Sequence, residues 1–409
     1  MANQIPLSGA TSTSGGVLLP PEQGEILVNG ILVETGAIQI AGDARSTAAR
    51  KTKFPIWQGR PTAGPVGEGA RKPVTGASFG ETSLNIKKFA SIVIFTDEQI
   101  EDLQNGDLNV LVDAGVRQAL SVATDADAVG LSAGSVLEKG QAQATGGSVF
   151  DTPLLQNASC GIQIGVAGQT IEENTKETEI QKAVSAALGV LEENGYGNPA
   201  NIGVLLGFGF QRALRDARDG FKRPLYDGGT FAGQAIDALY GLDRAHSTNF
   251  VNLSAPPLTV KVKTKTASPN LTVEARGTAP LFVGQPITGA GIPAGTVIKS
   301  LTGLTLEETV IELGKLKEGT SNEYVAVNAT AEASINAVVS RPVGVVVHRP
   351  NIHVRIRKDV SVAVSNEASI ENEGVRYDLF QEDLTAIRYE LRLGFMVHDA
   401  TRAIVPLYA

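Results

Sequence analysis

The stretch Phe54–Ile86, FPIWQGRPTAGPVGEGARKPVTGASFGETSLNI, has no core of its own. Between Gln58 and Thr82 it holds six Gly, three Pro and few large apolar groups. No helical period runs through it. Strand-like runs flank it, Phe54-Pro55-Ile56-Trp57 before and Leu84-Asn85-Ile86 opening the second. The pattern predicts a long, exposed β-hairpin. An isolated two-stranded hairpin is marginal in water, so a chain that keeps one this long lays it on something else.

Upstream, residues 1–16 are rich in Ser, Thr and Gly and read as a flexible arm, ended by Gly15-Gly16-Val17-Leu18-Leu19-Pro20-Pro21. Glu22 to Val33 reads as a helix with Ile26, Leu27, Ile31 and Leu32 available to pack. Downstream, Thr96-Asp97-Glu98-Gln99 is a capping-box pattern with Thr96 as N-cap. Asn105-Gly106 interrupts that helix. It resumes along Leu108, Leu111, Val112, Gly115, Ala119, Leu120, Ala123, Ala126 and Val129, spaced three and four apart. Residues 130–172 read as loop. A second helix starts at Thr175, with Ile180, Val184, Ala187, Leu188 and Leu191 on one face and Asn194-Gly195 as its stop. Ile202 to Leu206 reads as a short buried strand, and Phe210 to Ala217 as a helix. Strands alternate with helices to this point.

Near Ser254 the composition shifts. To about Asn336, Thr is frequent and helical periodicity vanishes. Leu258, Val260, Val262 and Thr264 alternate with Thr259, Lys261, Lys263 and Lys265, a period-two strand. Further strand candidates are Leu271–Ala275, Leu281–Val283, Thr296–Ile298, Val310–Leu313 and Tyr324–Val327. These predict a small inserted β-sandwich whose ends lie close together. The core resumes at Val343–Val347. In the clearest strand, Ile387, Tyr389, Leu391, Leu393, Phe395 and Val397 face one side.

Composition bounds the function. The 409 residues carry 35 Lys and Arg against 43 Asp and Glu, a net charge of −8. A protein that grips DNA generally must neutralise phosphates with cations, so general nucleic-acid binding is disfavoured. Hydrophobic residues are 42% and aromatics 5%, so the core is aliphatic. The single cysteine, Cys160, excludes an internal disulfide and a multi-Cys metal site. No signal peptide is visible, and no apolar run is long enough to span a membrane.

The chemical motifs fail on context. Gly130-Leu131-Ser132-Ala133-Gly134 matches G-x-S-x-G, but a helical run precedes it and a Gly-rich loop follows. Gly207-Phe208-Gly209-Phe210-Gln211-Arg212 follows a strand, yet Arg212 stands where a dinucleotide loop needs a small residue. Gly289–Gly295 precedes a strand and offers no helix N-terminus to a phosphate. His246, His348, His353 and His398 form no metal-ligand spacing, and Cys160 has no His beside it. Glu371 and Glu373 read as part of a solvated turn. No catalytic, cofactor or metal residues are assigned, and the work of the chain falls to its surfaces.

The order of segments resembles the major capsid proteins of tailed bacteriophages, the Hong Kong 97-type fold. The resemblance rests on Gly15–Pro20 after the arm, on Val66-Gly67-Glu68-Gly69-Ala70-Arg71-Lys72-Pro73, and on Thr96–Asp102. Asp237-Ala238-Leu239-Tyr240-Gly241-Leu242 and the C-terminal strand with Ala403-Ile404-Val405 complete it. It covers residues 15–250 and 340–409. It implies an α+β fold with an axial domain, a peripheral domain with a long spine helix, an extended E-loop hairpin and, here, an inserted all-β module.

The implied divisions are an arm at 1–16, an N-terminal segment at 17–54, the E-loop at 55–90 and a peripheral domain at 91–174. The axial domain follows at 175–253, the β-sandwich-like module at 254–336, a return to the axial domain at 337–365 and peripheral strands at 366–409. Gly284-Gln285-Pro286-Ile287-Thr288-Gly289 is similar to a β-module of phage structural proteins.

The resemblance also implies a function. The chain is expected to be a non-enzymatic shell protein, assembling in the host cytoplasm into hexamers and pentamers of a virion capsid. That shell would enclose DNA without specific binding and without cofactors. Intersubunit contacts are expected at Glu68, Arg71, Lys72, Pro73 and Phe79 of the hairpin. A separate scaffolding protein, a portal and decoration proteins are candidate partners. Met1 lies only some fifteen residues before the recognisable core, so no scaffold segment is expected within the chain. Some family members weld a hairpin Lys to an Asn. Lys72 matches the Lys, but Asp378 stands in the stretch matching the Asn, so a non-covalent shell is expected. The alternatives are an encapsulin-type compartment holding cargo enzymes and, from a different class, a hydrolase using Ser132.

Overall fold

The computed structural model describes residues 35–57, 64–68, 71, 72, 74, 79–98, 105–131, 148, 150, 152–155, 158–165, 176–208, 210, 242–250, 257–275, 281–302, 309–317, 323–372 and 375–409. The arm at 1–16, the helix Glu22–Val33, Ser132 and most of the helix expected from Phe210 lie outside these residues. Strands β1–β20 and helices α1–α4 are numbered along the chain.

A five-stranded sheet forms the centre, in the order β5 (Ile162–Gln163), β20 (Ile404–Tyr408), β15 (Pro342–His348), β6 (Ile202–Gly207), β7 (Asp243–Ser247). All six residues of β6 are buried, so its run of apolar side chains serves two cores rather than one. Val204, Leu206, Val346, Val405 and Leu407 pack toward α3 (Lys176–Glu193), which contributes Ile180, Val184, Ala187 and Leu191. Leu205, Val345, Val347, Ile404 and Tyr408, one residue out of phase, join the other core. Gly195 ends α3 at φ 88°, where Tyr196 N–H donates to the Leu191 carbonyl, as expected of a C′ glycine.

The second core lies beneath a four-stranded sheet ordered β1 (Asp43–Ser46), β16 (Ile352–Ser365), β19 (Leu384–Val397), β4 (Lys87–Thr96). Ile387, Tyr389, Leu391, Leu393, Phe395 and Val397 of β19 all face it, as their alternation predicts. Helix α2 (Asn105–Val129), about 37 Å long at 1.5 Å per residue, packs there through Val116, Leu120, Ala128 and Val129.

The buried face of α2 keeps Leu120 and Val129 of the expected stripe and departs from it elsewhere among the described residues. Gly115, Ala119 and Ala123 are exposed, and Thr124, Asp125 and Asp127 are buried. Local bonds make that possible. Thr124 Oγ1 donates to the Leu120 carbonyl. Asp125 accepts from Ala37 N–H of α1 (Gly36–Gln39) at 2.8 Å, from Asn249 Nδ2 at 2.9 Å and from Ser247 Oγ. Gly130, at φ 93°, closes the helix, so the first glycine of the G-x-S-x-G pattern is a cap.

The described residues of 258–339 form an all-β unit with its own core, but not a sandwich. The order is β10 (Ile287–Thr288), β14 (Ser334–Val339), β8 (Leu258–Lys263), β9 (Asn270–Ala275), β12 (Val310–Leu316), β11 (Val297–Thr302), with β13 (Tyr324–Ala326) beside β12. β11 then bonds back to the segment leading into β10. Gly284 N–H donates to Ile298 O at 2.7 Å, and Ile298 N–H to Gln285 O at 2.9 Å. The ring closes into a small barrel around Val260, Val262, Leu271, Ile298, Ile311 and Val339.

Closure removes the open edges that two stacked sheets would leave. It turns on Gln285, whose buried amide donates to Ser340 O at 2.6 Å and whose Oε1 accepts from Phe282 N–H at 3.0 Å. Leu281–Val283, expected as a strand, is a turn feeding this closure, although Leu281 is buried. β14 runs past the expected limit of 336, and Leu258 stands opposite Val339, so the entry and exit of the unit are neighbours.

Two hairpins complete the described residues. β2 (Lys51–Trp57) pairs with β3 (Phe79–Asn85), so Leu84-Asn85 end a strand rather than open one. The expected boundaries at 55 and 90 fall inside β2 and β4. β17 (Ser369–Asn372) pairs with β18 (Val375–Asp378), where a solvated turn through Glu371 was expected. Glu371 stands opposite Arg376, and Glu373 lies outside the described residues. α4 is the short helix Ala400–Ala403. No described helix is long and apolar enough to cross a membrane.

Candidate intersubunit surface

The hairpin is rooted where it meets the four-stranded sheet. Its register runs from Lys51 opposite Asn85 to Trp57 opposite Phe79. Leu84 is buried, and a side chain at Gly394 of β19 would run into it and lie 2.9 Å from Asn85 O. Glycine at 394 is what lets the end of β3 seat against the sheet. On the other strand, the Phe54 ring stacks on His353 at 4.7 Å, and the Arg355 guanidinium sits 5.3 Å over the same ring.

Asp43 of β1 holds this pair in place. Its carboxylate accepts from Arg355 Nη2 at 2.7 Å and lies 3.1 Å from His353 Nδ1 and 2.7 Å from Arg45 Nε. The Arg355 hydrogen bond leads in lowering the Asp43 pKa to about 2, against burial and with help from His353 and Arg45. Burial pulls His353 below its ordinary value, and the Asp43 contact only partly offsets it.

Among the described residues beyond the root, few contacts hold the hairpin. Lys53 pairs with Glu81 at 2.7 Å, both exposed, a contact worth ~0–1 kcal/mol. Glu68, Arg71 and Lys72 are exposed, and Val74 is 94% exposed. Pro73 lies outside the described residues. Phe79 is placed at the start of β3, with nothing described of its side chain.

The clamp of Asp43, Phe54, His353 and Arg355 was not legible in the sequence. Its members are up to 312 positions apart, and no local pattern marks them.

Of the candidate histidines and Cys160, only His353 and His398 are seen together among the described residues, their rings edge-on at 6.4 Å. His348 stacks on Tyr196 at 4.5 Å, while His353 belongs to the hairpin root. Burial raises the Cys160 thiol to about 11. Among the described residues no group of three His, Cys, Asp or Glu could hold a metal. Phe208 follows β6 with its ring exposed, stacked on His246 at 5.9 Å; Gly209 and Arg212 lie outside the described residues.

A family model described as the phage capsid family matches residues 15–235. A search of curated proteins finds no match. Among solved structures, a chain from Mycobacterium phage Ogopogo is similar at 15% identity and TM-score 0.53, over 98% of this chain and 94% of that one. One from Mycobacterium phage Bobi is similar at 14% identity and TM-score 0.50, over 91% and 90%. One from Gordonia phage Cozz is similar at 12% identity and TM-score 0.50, over 91% and 86%. At these identities the likeness is one of fold.

Proposed function

The chain belongs to the phage capsid family, and from that premise we propose that this structural major capsid protein builds a closed icosahedral shell through its hairpin. The observation that carries the reading is a two-stranded arm clamped at its root by Asp43, Phe54, His353 and Arg355 and exposed at Glu68, Arg71, Lys72 and Val74. Such an arm contributes little to its own subunit. Laid across a neighbour, it buries surface that a monomer leaves in water.

In this reading the four-stranded sheet with α2 is the peripheral domain, and the five-stranded sheet with α3 is the axial domain. The barrel at 258–339 is an insertion on the outer surface that stabilises neighbour contacts. Hexamers and pentamers form the shell of the virion in the host cytoplasm. The net charge of −8 suits a wall that encloses DNA without gripping it. Scaffolding, portal and decoration proteins act with it, and no catalytic step is involved.

Excising 60–76 tests the reading. β2 and β3 keep their paired residues, so the variant should melt as the parent does and remain unassembled by sedimentation. A variant that forms normal shells would overturn the role given to the arm.

A further inference from the structure

Strands β4 and β19 carry opposite charge at their two ends. β4 begins with Lys87 and Lys88 and is followed by Asp97 and Glu98. β19 runs the other way, preceded by Glu382 and Asp383, with Arg388 and Arg392 along it. The register sets Leu384 beside Thr96 and Arg392 beside Lys88. The acids gather at one end, where Asp97 N–H donates to the Asp383 carbonyl at 3.0 Å. The bases gather toward the other.

The basic end is crowded. Arg392 stands between Lys88 of β4 and Arg357 of β16, and like charges opposite one another on neighbouring strands are destabilising. A carboxylate, Glu390, lies among them with its side chain 9% exposed. It is 3.2 Å from Lys88 Nζ, 3.3 Å from Arg388 Nε and 3.7 Å from Arg392 Nη2. Lys88 and Arg388 keep 55% and 54% of their side chains in solvent above it. Ile92, an exposed apolar residue, is the register partner of Arg388.

At the acidic end, Glu98, Glu382 and Asp383 are exposed. The β17–β18 hairpin adds exposed Glu367 and Glu371 against Arg376. Phe380, 75% exposed, lies in the turn between that hairpin and β19.

The two ends do not neutralise each other within one copy. Lys88 is nine positions from Asp97, about 30 Å at the strand rise, and Arg388 five positions from Asp383, about 17 Å, whereas exposed charges are screened within ~8–10 Å at physiological salt. Resting on the reading of this protein as a shell subunit, we infer that the acidic end of one copy docks on the basic end of the next. Glu98 and Glu382 meet Lys88 and Arg388, and Phe380 covers Ile92. The two patches differ, so the contact is head-to-tail, and successive copies close into a ring where the rotation allows. The charges set partner orientation and encounter rate.

Charge reversal at each end is the test, read by sedimentation velocity, with thermal melting to verify folding. Glu98→Lys with Glu382→Lys, and separately Lys88→Glu with Arg388→Glu, should each raise the half-assembly concentration about tenfold or more. All four changes in one chain should restore assembly. An equimolar mixture of the two one-end variants should co-assemble into hexamers, because every contact in an even-membered alternating ring is again acid on base, whereas a five-membered ring cannot alternate and pentamers should stay impaired. The acidic-end variant is remote from Glu390, so it remains informative if the basic-end variant misfolds. Folded one-end variants that assemble like the parent, or a fourfold variant no better than either, would overturn the contact while leaving the capsid reading intact. A parent chain that never assembles would contradict both.

Discussion

Asp43 accepts from Arg355, lies against His353 and Arg45, and has its pKa lowered to about 2. A carboxyl whose folded pKa lies below its unfolded value stabilises the fold above the unfolded value and loses that contribution as pH falls. The window here runs from about pH 4 to about pH 2, and the contribution is about 2 kcal/mol. Asp43→Asn should flatten the acid limb of a stability-against-pH curve by that amount and loosen the hairpin root. An unchanged acid limb in urea titrations would show the clamp to be incidental. Asp125 has the opposite sign, because burial raises its pKa above the ordinary value despite three donors. Its share of stability grows as pH falls, so the Asp43 window is best isolated by difference between variant and parent. Lys72 is exposed, and Asp378 stands in β18 opposite Ser369. A carboxylate has no ammonia to lose to an attacking amine. Mature particles boiled in SDS should therefore run as one band near 42.7 kDa. A ladder that disappears in Lys72→Arg would contradict this.

The barrel at 258–339 buries its own apolar side chains, and its two ends pair at Leu258 and Val339. Replacing 259–338 with a short Gly/Ser linker should leave the remaining chain folded and able to assemble. The replacement also removes Phe282 from the second core, Tyr324 from its packing against the α3 core, and the Tyr324 Oη contact with the Gly161 N–H at 3.2 Å. Loss of cooperative melting would place the barrel within the main core. At this scale the sequence was readable wherever one face of an element is buried. Ile387 to Val397, Ile202 to Leu206 and the Ile180–Leu191 face of α3 were all visible from spacing, because water excludes every second or every third-and-fourth side chain. Barrel closure was not visible, since it depends on one buried amide, Gln285, and on backbone bonds with no side-chain signature. Nor was the inward face of α2, where Thr124 and Asp125 are polar by composition and buried by partners supplied from Leu120, Ala37 and Ser247. The candidate surface divides the same way. Exposed Glu68, Arg71 and Lys72 followed from a stretch without a core. The root that holds it came from residues about 300 positions away.

For the whole molecule, the clamped hairpin, the polar strand pair and the family match converge on association of many copies. On the proposed reading, the exposed described residues of the arm and the unlike ends of the sheet are surfaces that a neighbour would cover. The most direct measurement is electron microscopy of the purified chain after concentration at physiological salt. The account predicts closed shells of uniform diameter bounded by a single protein layer. A population that remains monomers or small oligomers at every concentration would contradict it.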